Sequence, residues 1–465
     1  MVKKYSFRLL LVLIACFTLV SPALSQTDGP GISVEVIGRG LLGLVFLLFI
    51  AYLFSNNRKA INWRLVGAGL FIQFMFALGV LKVDVIHIVF EWISEQFVAM
   101  IGVFHKGTEF VFGTAFADPS GPWGFVFAIQ VLPTIIIFSA LSALLYYLGI
   151  LQLICYGFAW VLSKSMKLSG AESMSTAANI FLGQTEAPLM VRPYLPKMNR
   201  SEILCVMIGG MANTAGSVLS AYVQMLGGTD QHAQAFFALH MLAQSIMSAP
   251  AAVVVSKMLY PQTDEDAIVR DLQVGKERVG SNLLDAISNG TTDGLKLAVN
   301  VAAMLIVFTA LVYLADAMMF KIGNWTGING AIAGMTNNVY DGLRLGFLFG
   351  YLFAPVAWLI GTPSHDMLAM GQLLGEKTMI NEFYAYGTLA KMKANNMIAP
   401  MSRSMIIATY ALSGFANFAS IGIQIGGIST LAPNQRQNLS ELGMRALLGG
   451  TIACLMTAAI AGMLY

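Results

Sequence analysis

The stretch Asn179-Ile-Phe-Leu-Gly-Gln-Thr-Glu-Ala-Pro-Leu-Met-Val-Arg-Pro-Tyr194 decides how this chain is built. It places the carboxylate of Glu186 beside amide and hydroxyl side chains in a protein that is 57% hydrophobic. An ionisable group at membrane depth is costly, so it usually faces a cavity and binds something. A backbone interrupted by Gly183 and Pro188 is tolerated there only where protein or water surrounds it. A loop between two spans is the alternative interpretation.

The composition is that of a helical membrane protein. Only 11% of the 465 residues are charged, too few for a soluble globular protein. Apolar runs recur along the whole length, each able to cross a hydrocarbon core of about 30 Å, which takes about 20 helical residues. The net charge of +3 implies no nucleic-acid partner. We predict spans near residues 37–55, 65–83, 126–148, 201–226, 233–258, 295–316, 340–361, 397–430 and 441–464.

Four segments depart from the pattern of a simple span. Residues 397–430 are too long for one crossing and contain four glycines, which indicates a helix broken midway. Residues 340–361 run into a polar stretch, so a re-entrant hairpin is an alternative to a full crossing. Residues 84–105 mix acidic and apolar side chains at helical spacing, as in a helix lying on the membrane interface. Residues 263–294 are charged and predict a solvated cytoplasmic helix.

The first 25 residues are typical of a secretory signal peptide. A basic start precedes an apolar run, and small residues follow that suit cleavage before Gln26. An uncleaved signal anchor is the alternative. Basic residues near span ends agree with a mature N-terminus outside the cytoplasm, because such residues stay on the cytoplasmic side. They are Arg58, Lys59, Arg64, Arg192, Lys197, Arg200, Arg436 and Arg445.

Cysteines and histidines predict no further site. The four cysteines are scattered through apolar surroundings, and the five histidines are dispersed along the chain without a metal-binding spacing. We therefore expect no disulfide, no histidine or cysteine metal site and no cofactor.

A short internal repeat indicates two related halves. Gly210-Met-Ala-Asn213-Thr-Ala215 matches Gly414-Phe-Ala-Asn417-Phe-Ala419 at four of six positions, and each copy follows a lone carboxylate, Glu186 or Glu382. In the predicted topology the two asparagine-bearing helices run in opposite directions. Inverted repeats with broken helices are typical of secondary transporters that bind substrate near the bilayer midplane. A chance match in helices rich in glycine and alanine is the alternative.

The polar groups predicted at membrane depth define a candidate site. They offer amides and hydroxyls that donate and accept, two carboxylates, and no buried arginine or lysine. An anionic ligand would need a cation or an arginine fork, so phosphorylated and carboxylate substrates are disfavoured. Sugars, nucleosides, nucleobases and amides remain open. The set is Asn179, Gln184, Thr185, Glu186, Asn213, Thr214, Glu382, Asn417 and Ser420.

The energy source is constrained by two observations. The sequence has no G-x-x-x-x-G-K-[ST] phosphate loop, so ATP is not the direct driver. The side chains of Asn179 and Asn213, with carbonyls near Leu182 and Thr214, offer oxygen ligands for a monovalent cation at broken helix ends. Each asparagine also has a simpler explanation, as a helix breaker that hydrogen-bonds its own backbone.

Four separated motifs resemble the concentrative nucleoside transporter family, from about residue 36 to the C-terminus. They are Gly183-Gln-Thr-Glu-Ala-Pro188 with Arg192-Pro193, Gly375-x-Lys377-x-x-x-Asn381-Glu382-Phe383, Ser413-Gly-Phe-Ala-Asn-Phe418 with Ser420, and Gln130-Val-Leu-Pro-Thr-Ile-Ile-Ile-Phe-Ser139 with Tyr146-Tyr147. The resemblance implies an all-α polytopic fold with about eight transmembrane helices and two re-entrant helical hairpins, near 171–195 and 363–395. It also implies a homotrimer.

The resemblance further implies three groups of site residues. The base of a nucleoside would be held by Gln184, Thr185, Glu186 and Val218. The ribose would be held by Glu382, Phe415, Asn417 and Ser420. Sodium would be bound by Asn179, Leu182, Asn213 and Thr214, the second and fourth through their carbonyls.

Two positions depart from the family pattern. Asn213 stands where sodium-dependent members typically carry a small hydroxyl residue, which puts the identity of the coupling cation in doubt. Tyr384 stands where the Asn-Glu-Phe motif usually continues with valine, beside a proposed ribose ligand. It is expected to alter packing or access there.

The sequence thus predicts a secondary active transporter, not an enzyme. It would import nucleosides such as uridine or adenosine by symport with Na⁺, through a bilayer-spanning protein in the bacterial inner (plasma) membrane with a periplasmic N-terminus. An H⁺-coupled symporter, with Glu186 or Glu382 as the proton carrier, is the close alternative. An intramembrane enzyme and a passive channel are further alternatives. We assign residues 1–25 to the signal peptide, 26–165 to scaffold spans, and 166–465 to a transport core with interspersed scaffold helices.

Overall fold

The computed structural model describes residues 34–118, 122–124, 126–263, 280–336 and 339–465, and these ranges contain helices and no strand. The predicted signal peptide lies outside the described residues. The α-helices are α1 Val34–Leu53, α2 Trp63–Lys82, α3 Asp84–Phe112, α4 Thr114–Ala117, α5 Phe127–Gln130, α6 Leu132–Tyr147, α7 Ile150–Met166, α8 Gly170–Ala178, α9 Arg200–Ala212, α10 Gly216–Gly227, α11 Gln231–Leu259, α12 Leu283–Thr326, α13 Ile328–Met335, α14 Leu345–Leu359, α15 Met367–Met379, α16 Glu382–Ala394, α17 Arg403–Leu412, α18 Phe418–Leu431 and α19 Arg436–Leu464. Short 3-10 helices lie at Arg58–Ala60, Ala187–Val191, Leu195–Lys197, Ser364–Asp366 and Pro433–Gln435.

Eight segments of the described chain are long and apolar enough to cross a membrane, which confirms the all-α polytopic fold. Seven of them coincide with predicted spans. The eighth, Asp84–Phe112, covers the stretch predicted to lie on the interface, and its interfacial placement stays a prediction. The other seven are Val34–Leu53, Trp63–Lys82, Phe127–Tyr147, Arg200–Gly227, Gln231–Leu259, Leu283–Thr326 and Pro433–Leu464.

The charged connection after α11 is described only in part. Residues 264–279 lie outside the described chain, and residues from Leu283 onward begin the 44-residue helix α12. The end of the connection is thus helical and continuous with a span, and its placement in the cytoplasm stays a prediction. Two glycines let α12 pack closely on α6. A Cβ atom at Gly290 would lie 2.6 Å from the Cβ of Ala143, and one at Gly294 would lie 2.8 Å from the Cα of Ile136.

Two helices are interrupted in the middle. The first crossing stops after α9 and resumes at α10, and the second stops after α17 and resumes at α18, inside the predicted segment 397–430. The two matched asparagines take different places at these breaks. Asn213 closes α9, whereas Asn417 is the N-cap of α18 and accepts a hydrogen bond from the backbone of Ser420 at 2.9 Å. Each copy of the sequence repeat therefore lies at a helix break, but matched residues occupy different positions in the two breaks.

The two breaks contact each other inside the protein. The backbone N–H of Gly414 donates to the hydroxyl of Thr214 at 2.9 Å. Gln244 of α11 donates through Nε2 to the carbonyl oxygens of Ala212 at 3.1 Å and Ser413 at 3.4 Å. Unpaired backbone groups are costly in apolar surroundings, so these contacts stabilise both interruptions at once.

Two helical hairpins agree in position with the predicted ranges 171–195 and 363–395. Hairpin 1 consists of α8, a tip at residues 179–186 and the 3-10 helix Ala187–Val191. Hairpin 2 consists of α15 and α16, joined at residues 380–381. The helix α14, within predicted span 340–361, lies beside α15, since a Cβ at Gly350 would be 3.2 Å from the carbonyl oxygen of Leu368. The entry of both hairpins into the bilayer stays a prediction.

A buried ion pair fixes the base of hairpin 1 to α11. The Lys257 ammonium contacts the carboxylate of Glu172, and their side chains are 6% and 3% exposed. The same ammonium donates to the hydroxyl of Ser201 at 3.0 Å. Because both charges are removed from water, each depends on the other for compensation.

We predict that Lys257→Met lowers the free energy of unfolding by about 3–5 kcal/mol, since it leaves the Glu172 carboxylate buried and unpaired. The double variant Lys257→Met/Glu172→Leu should recover much of that loss. Thermal unfolding in detergent measures both. The exposed pair of Arg200 and Glu441 is the matched control, and Arg200→Met should cost at most about 1 kcal/mol. Equal costs for the two single variants would contradict the assignment.

Candidate functional site

The first turn of α18 joins residues of both hairpins. Ser420, in this turn, accepts a hydrogen bond from the Nε2 of Gln184 on the tip of hairpin 1, at 3.3 Å. Asn417, at its N-cap, donates through Nδ2 to the carboxylate of Glu382 on hairpin 2, at 2.6 Å. These four side chains are at least 92% buried. The predicted base and ribose residues therefore meet around one helix end.

The tip of hairpin 1 is held in place from two sides. Thr185 packs on α18, where a Cβ at Gly427 would lie 2.7 Å from its Cγ2. The backbone N–H of Gly216, at the start of α10, donates to the carbonyl of Phe181 at 3.1 Å. Within the tip, Glu186 is partly buried and accepts a hydrogen bond from the backbone of Gly183 at 3.2 Å.

One polar atom in this region is available to a ligand. The Oε1 atom of Gln184 is buried and has no hydrogen-bond partner in the described chain. The hydroxyl of Tyr222, on α10, interacts instead with the carboxylate of Glu382. Buried polar groups are rarely left unpaired, so the Gln184 oxygen is suited to a ligand or water. The predicted apolar contacts, Val218 and Phe415, are 2% and 8% exposed and lie in the first turn of α10 and in the second break.

Lys377 corrects the expectation that no lysine is buried here. Its side chain, on α15, is 2% exposed and donates to the carbonyl of Ala411 near the end of α17 at 2.7 Å. The ammonium is thus committed to a broken-helix end, which explains why a cation is tolerated. In the sequence, only its place in the motif Gly375-x-Lys377 distinguished this lysine.

Aromatic side chains pack around the start of α16, next to Glu382, and the sequence did not predict this packing. The ring of Tyr222 stacks on Tyr386 with 4.2 Å between centroids and meets the edge of Phe383 at 4.9 Å. The hydroxyl of Tyr386 donates to the carbonyl of Thr409 at 2.8 Å. In the sequence these tyrosines resemble ordinary core residues, so no local pattern distinguishes them.

The predicted cation ligands differ in whether their oxygen atoms are free to bind a cation. Asn179 donates through Nδ2 to the carbonyl of Ser175 at 2.9 Å, and its Oδ1 atom is buried without a partner in the described chain. Such an oxygen suits a hard cation. By contrast, the Oδ1 of Asn213 accepts a hydrogen bond from the Ser248 hydroxyl at 2.7 Å. The remaining two, Leu182 and Thr214, lie outside the helices, where their carbonyls are free of helical pairing.

Family models cover most of the chain. "Na+ dependent nucleoside transporter N-terminus" matches residues 42–115, "Nucleoside recognition" matches residues 128–229, and "Na+ dependent nucleoside transporter C-terminus" matches residues 240–462. This chain belongs to the concentrative nucleoside transporter family. It is accordingly a transporter of that family and not an enzyme.

Similar proteins come from bacteria and mammals. An uncharacterized transporter of Haemophilus influenzae is 41% identical over 425 residues, which are 91% of this chain and 96% of that protein. Sodium/nucleoside cotransporter 1 of Rattus norvegicus is 36% identical over 436 residues, 91% of this chain and 63% of that protein. Solute carrier family 28 member 3 of Mus musculus is 38% identical, and the chain spans 58% of its length.

Solved structures share the whole architecture of this transporter. CNTnw in an inward-facing substrate-bound state has a TM-score of 0.82 and 37% sequence identity, covering 92% of this chain and 98% of that chain. A CNTnw variant in the intermediate 1 state has a TM-score of 0.83, with 92% and 99% covered.

We predict that Gly210→Ala displaces the tip of hairpin 1, because the new Cβ would lie 2.9 Å from the Cβ of Gln184. Hydrogen exchange of the amides at residues 179–186 should accelerate. Gly157→Ala is the matched control, since nothing lies within 4 Å of a Cβ there. Unchanged exchange in Gly210→Ala would refute the close packing of this tip.

Proposed function

We propose that this transporter imports nucleosides across the bacterial inner membrane by symport with a cation, Na⁺ in the first instance. The periplasmic N-terminus belongs to the same proposal. The substrate site would lie between the hairpin tips and be reached alternately from each side. The observation that carries the proposal is the first turn of α18, where Ser420 meets Gln184 and Asn417 meets Glu382.

The chemistry of this turn suits a neutral molecule with an amide edge and hydroxyls. Gln184 presents a donor and an acceptor, as a nucleobase edge requires, and a carboxylate such as Glu382 can accept from two ribose hydroxyls. Glu186 and Thr185 would complete the base contacts. Lys377, the buried cation of this region, donates to the Ala411 carbonyl, and the nearby Glu382 carboxylate offsets its charge, so a phosphorylated substrate is not favoured.

The similar proteins support both transport and its mechanism. The rat relative is named a sodium/nucleoside cotransporter, and the CNTnw structures are described as inward-facing, intermediate and outward-facing. Alternating access between such states is the expected mode for repeats with broken helices. The homotrimer is proposed from the family resemblance, and the exposed apolar side chains of α12, such as Leu311 and Leu314, agree with cover by lipid or another subunit.

The choice of cation rests on two asparagines. The unpartnered Oδ1 of Asn179 favours Na⁺, because an oxygen ligand is available. The engagement of Asn213 with Ser248 favours the H⁺-coupled alternative, because the side-chain oxygen at this position is already occupied. Rotation of the Ser248 hydroxyl would release it for a metal ion.

Uptake of labelled uridine into proteoliposomes tests the function and the cation together. Accumulation under an inward Na⁺ gradient at equal pH supports the Na⁺ symporter. Accumulation under an inward H⁺ gradient alone supports the alternative. Absence of accumulation of uridine, adenosine and other nucleosides under both gradients would contradict nucleoside import.

We predict that Asn417→Ala weakens uridine binding by about 1–3 kcal/mol, because Glu382 loses a buried partner. Glu186→Gln should retain folding but impair transport, since it removes the charge with little change in volume. Isothermal titration and uptake measure the two effects. Ser429→Ala, at the opposite end of α18, is the control and should leave both unchanged. Normal affinity in Asn417→Ala would count against this site.

We predict that Asn179→Ala raises the Na⁺ concentration needed for half-maximal uptake at least about tenfold, in line with about 1.4 kcal/mol of lost ligation. A sodium titration at saturating uridine measures the change. Asn199→Ala, a helix cap outside the site, serves as the control. An unaltered sodium requirement in Asn179→Ala would exclude this oxygen as a ligand.

A further inference from the structure

A separate cavity of about 400 Å³ lies on the face of hairpin 2 that points away from the proposed substrate site. Glu382, Phe383 and Tyr386 occupy one face of α16, whereas Tyr384 and Thr388 lie on the other and line this cavity. The opposite wall comes from α12 and the segment before α14. The cavity thus separates hairpin 2 from a scaffold helix, the kind of boundary across which a transport core would move.

Glu376 of α15 is the unusual group in this cavity. Its side chain is 5% exposed, and Oε1 accepts a hydrogen bond from the Nε2 of Gln372 at 2.8 Å. Its other oxygen, Oε2, is buried without a hydrogen bond of ordinary geometry within the described ranges, and the hydroxyl of Thr388 lies near enough to interact with the carboxylate. A buried carboxylate with an orphaned oxygen is strongly disfavoured in its ionised form unless a cation neutralises it.

The surrounding charges compensate the carboxylate only in part, since the Lys391 ammonium acts on it from beyond ion-pair distance. Asp316 of α12 is acidic and lines the same cavity, where its Oδ1 accepts the backbone N–H of Leu345 at 2.8 Å. Arg344 is committed to Asp341 by two hydrogen bonds of 2.7 Å. Lys391 also lines the cavity, yet no ion pair within 4 Å joins it to Glu376 in the described chain.

The remaining groups also favour a proton over a metal ion. The hydroxyl of Tyr340 is engaged, since it donates to the carbonyl of Leu368 at 3.3 Å, and Tyr384 lines the same wall. A metal ion would need several free oxygen ligands, and the oxygens of Asp316 and Tyr340 are already engaged. A proton needs only the orphaned oxygen of Glu376, and its binding removes the charge that the cavity disfavours.

We propose that Glu376 is a proton-binding site on hairpin 2. Glu376 is protonated while hairpin 2 rests against α12, and it releases the proton to water when movement of the hairpin opens the cavity. Protonation of Glu376 removes its charge, and hairpin 2 can then pack against α12 again during each transport cycle. The proposal rests on the proposed function, because it takes hairpin 2 as the moving element. It adds a site distinct from Glu186 and Glu382.

Uridine exchange into proteoliposomes at equal pH on both sides tests the proposal without any ion gradient. In the unaltered protein the exchange rate should fall as the pH rises from mildly acidic to mildly alkaline. Glu376→Gln should lose this dependence and keep the rate of acidic pH, because the amide mimics the protonated acid. Glu376→Asp should restore the dependence. Glu441→Gln, which removes an exposed carboxylate outside this cavity, is the control and should retain it.

Infrared difference spectroscopy of the purified protein provides the second readout. A protonated-carboxyl band should disappear on alkalinisation and be absent from Glu376→Gln. An unchanged band and an unchanged pH profile in that variant would overturn the proposal. If the unaltered protein exchanged no nucleoside at any pH, the proposed function would fail, and the infrared titration would still decide whether Glu376 binds a proton.

Discussion

The pairing of backbone groups at two broken helices is the constraint on which the rest of this transporter depends. The carbonyls of Ala212 and Ser413 face each other and share the amide of Gln244. Gly414 is required at this point, because its φ of +109° lies in the region that favours glycine, and a Cβ would be 2.7 Å from the Ala212 carbonyl oxygen. With both breaks stabilised, four helix ends are available beside the two hairpin tips.

The proposed substrate site is built at one of these helix ends. One turn of α18 contacts hairpin 1 through Ser420 and hairpin 2 through Asn417. A ligand bound at this turn would therefore contact both hairpins. Of the proposed cation ligands, Asn213 and Thr214 lie at the other break, where Thr214 contacts Gly414, and Asn179 and Leu182 lie in the tip of hairpin 1. Substrate and cation would therefore act on a single connected set of helix ends, which is a physical basis for coupling their binding.

Local patterns in the sequence predicted the elements that carry this arrangement. The interrupted polar stretch around Glu186 indicated a segment that is not a simple span, the family resemblance implied the two hairpins, and the excess length of residues 397–430 predicted the second break. Contacts between distant residues were not predictable in this way. Gln244, the pair of Lys257 and Glu172, and the contact of Lys377 with α17 depend on side chains that only folding brings together, so no local spacing identifies their partners. The close packing of α12 on α6 through Gly290 and Gly294 was likewise not predictable from local pattern.

A crystal structure with bound 5-bromouridine would test the central claim most directly. Anomalous scattering locates the bromine independently of the protein, so the base position is measured and not fitted. The account predicts a bromine peak beside Gln184 and Val218, with the ribose against Glu382 and Asn417. A fully occupied peak elsewhere, with the turn of α18 unoccupied, would contradict the assignment of the substrate site.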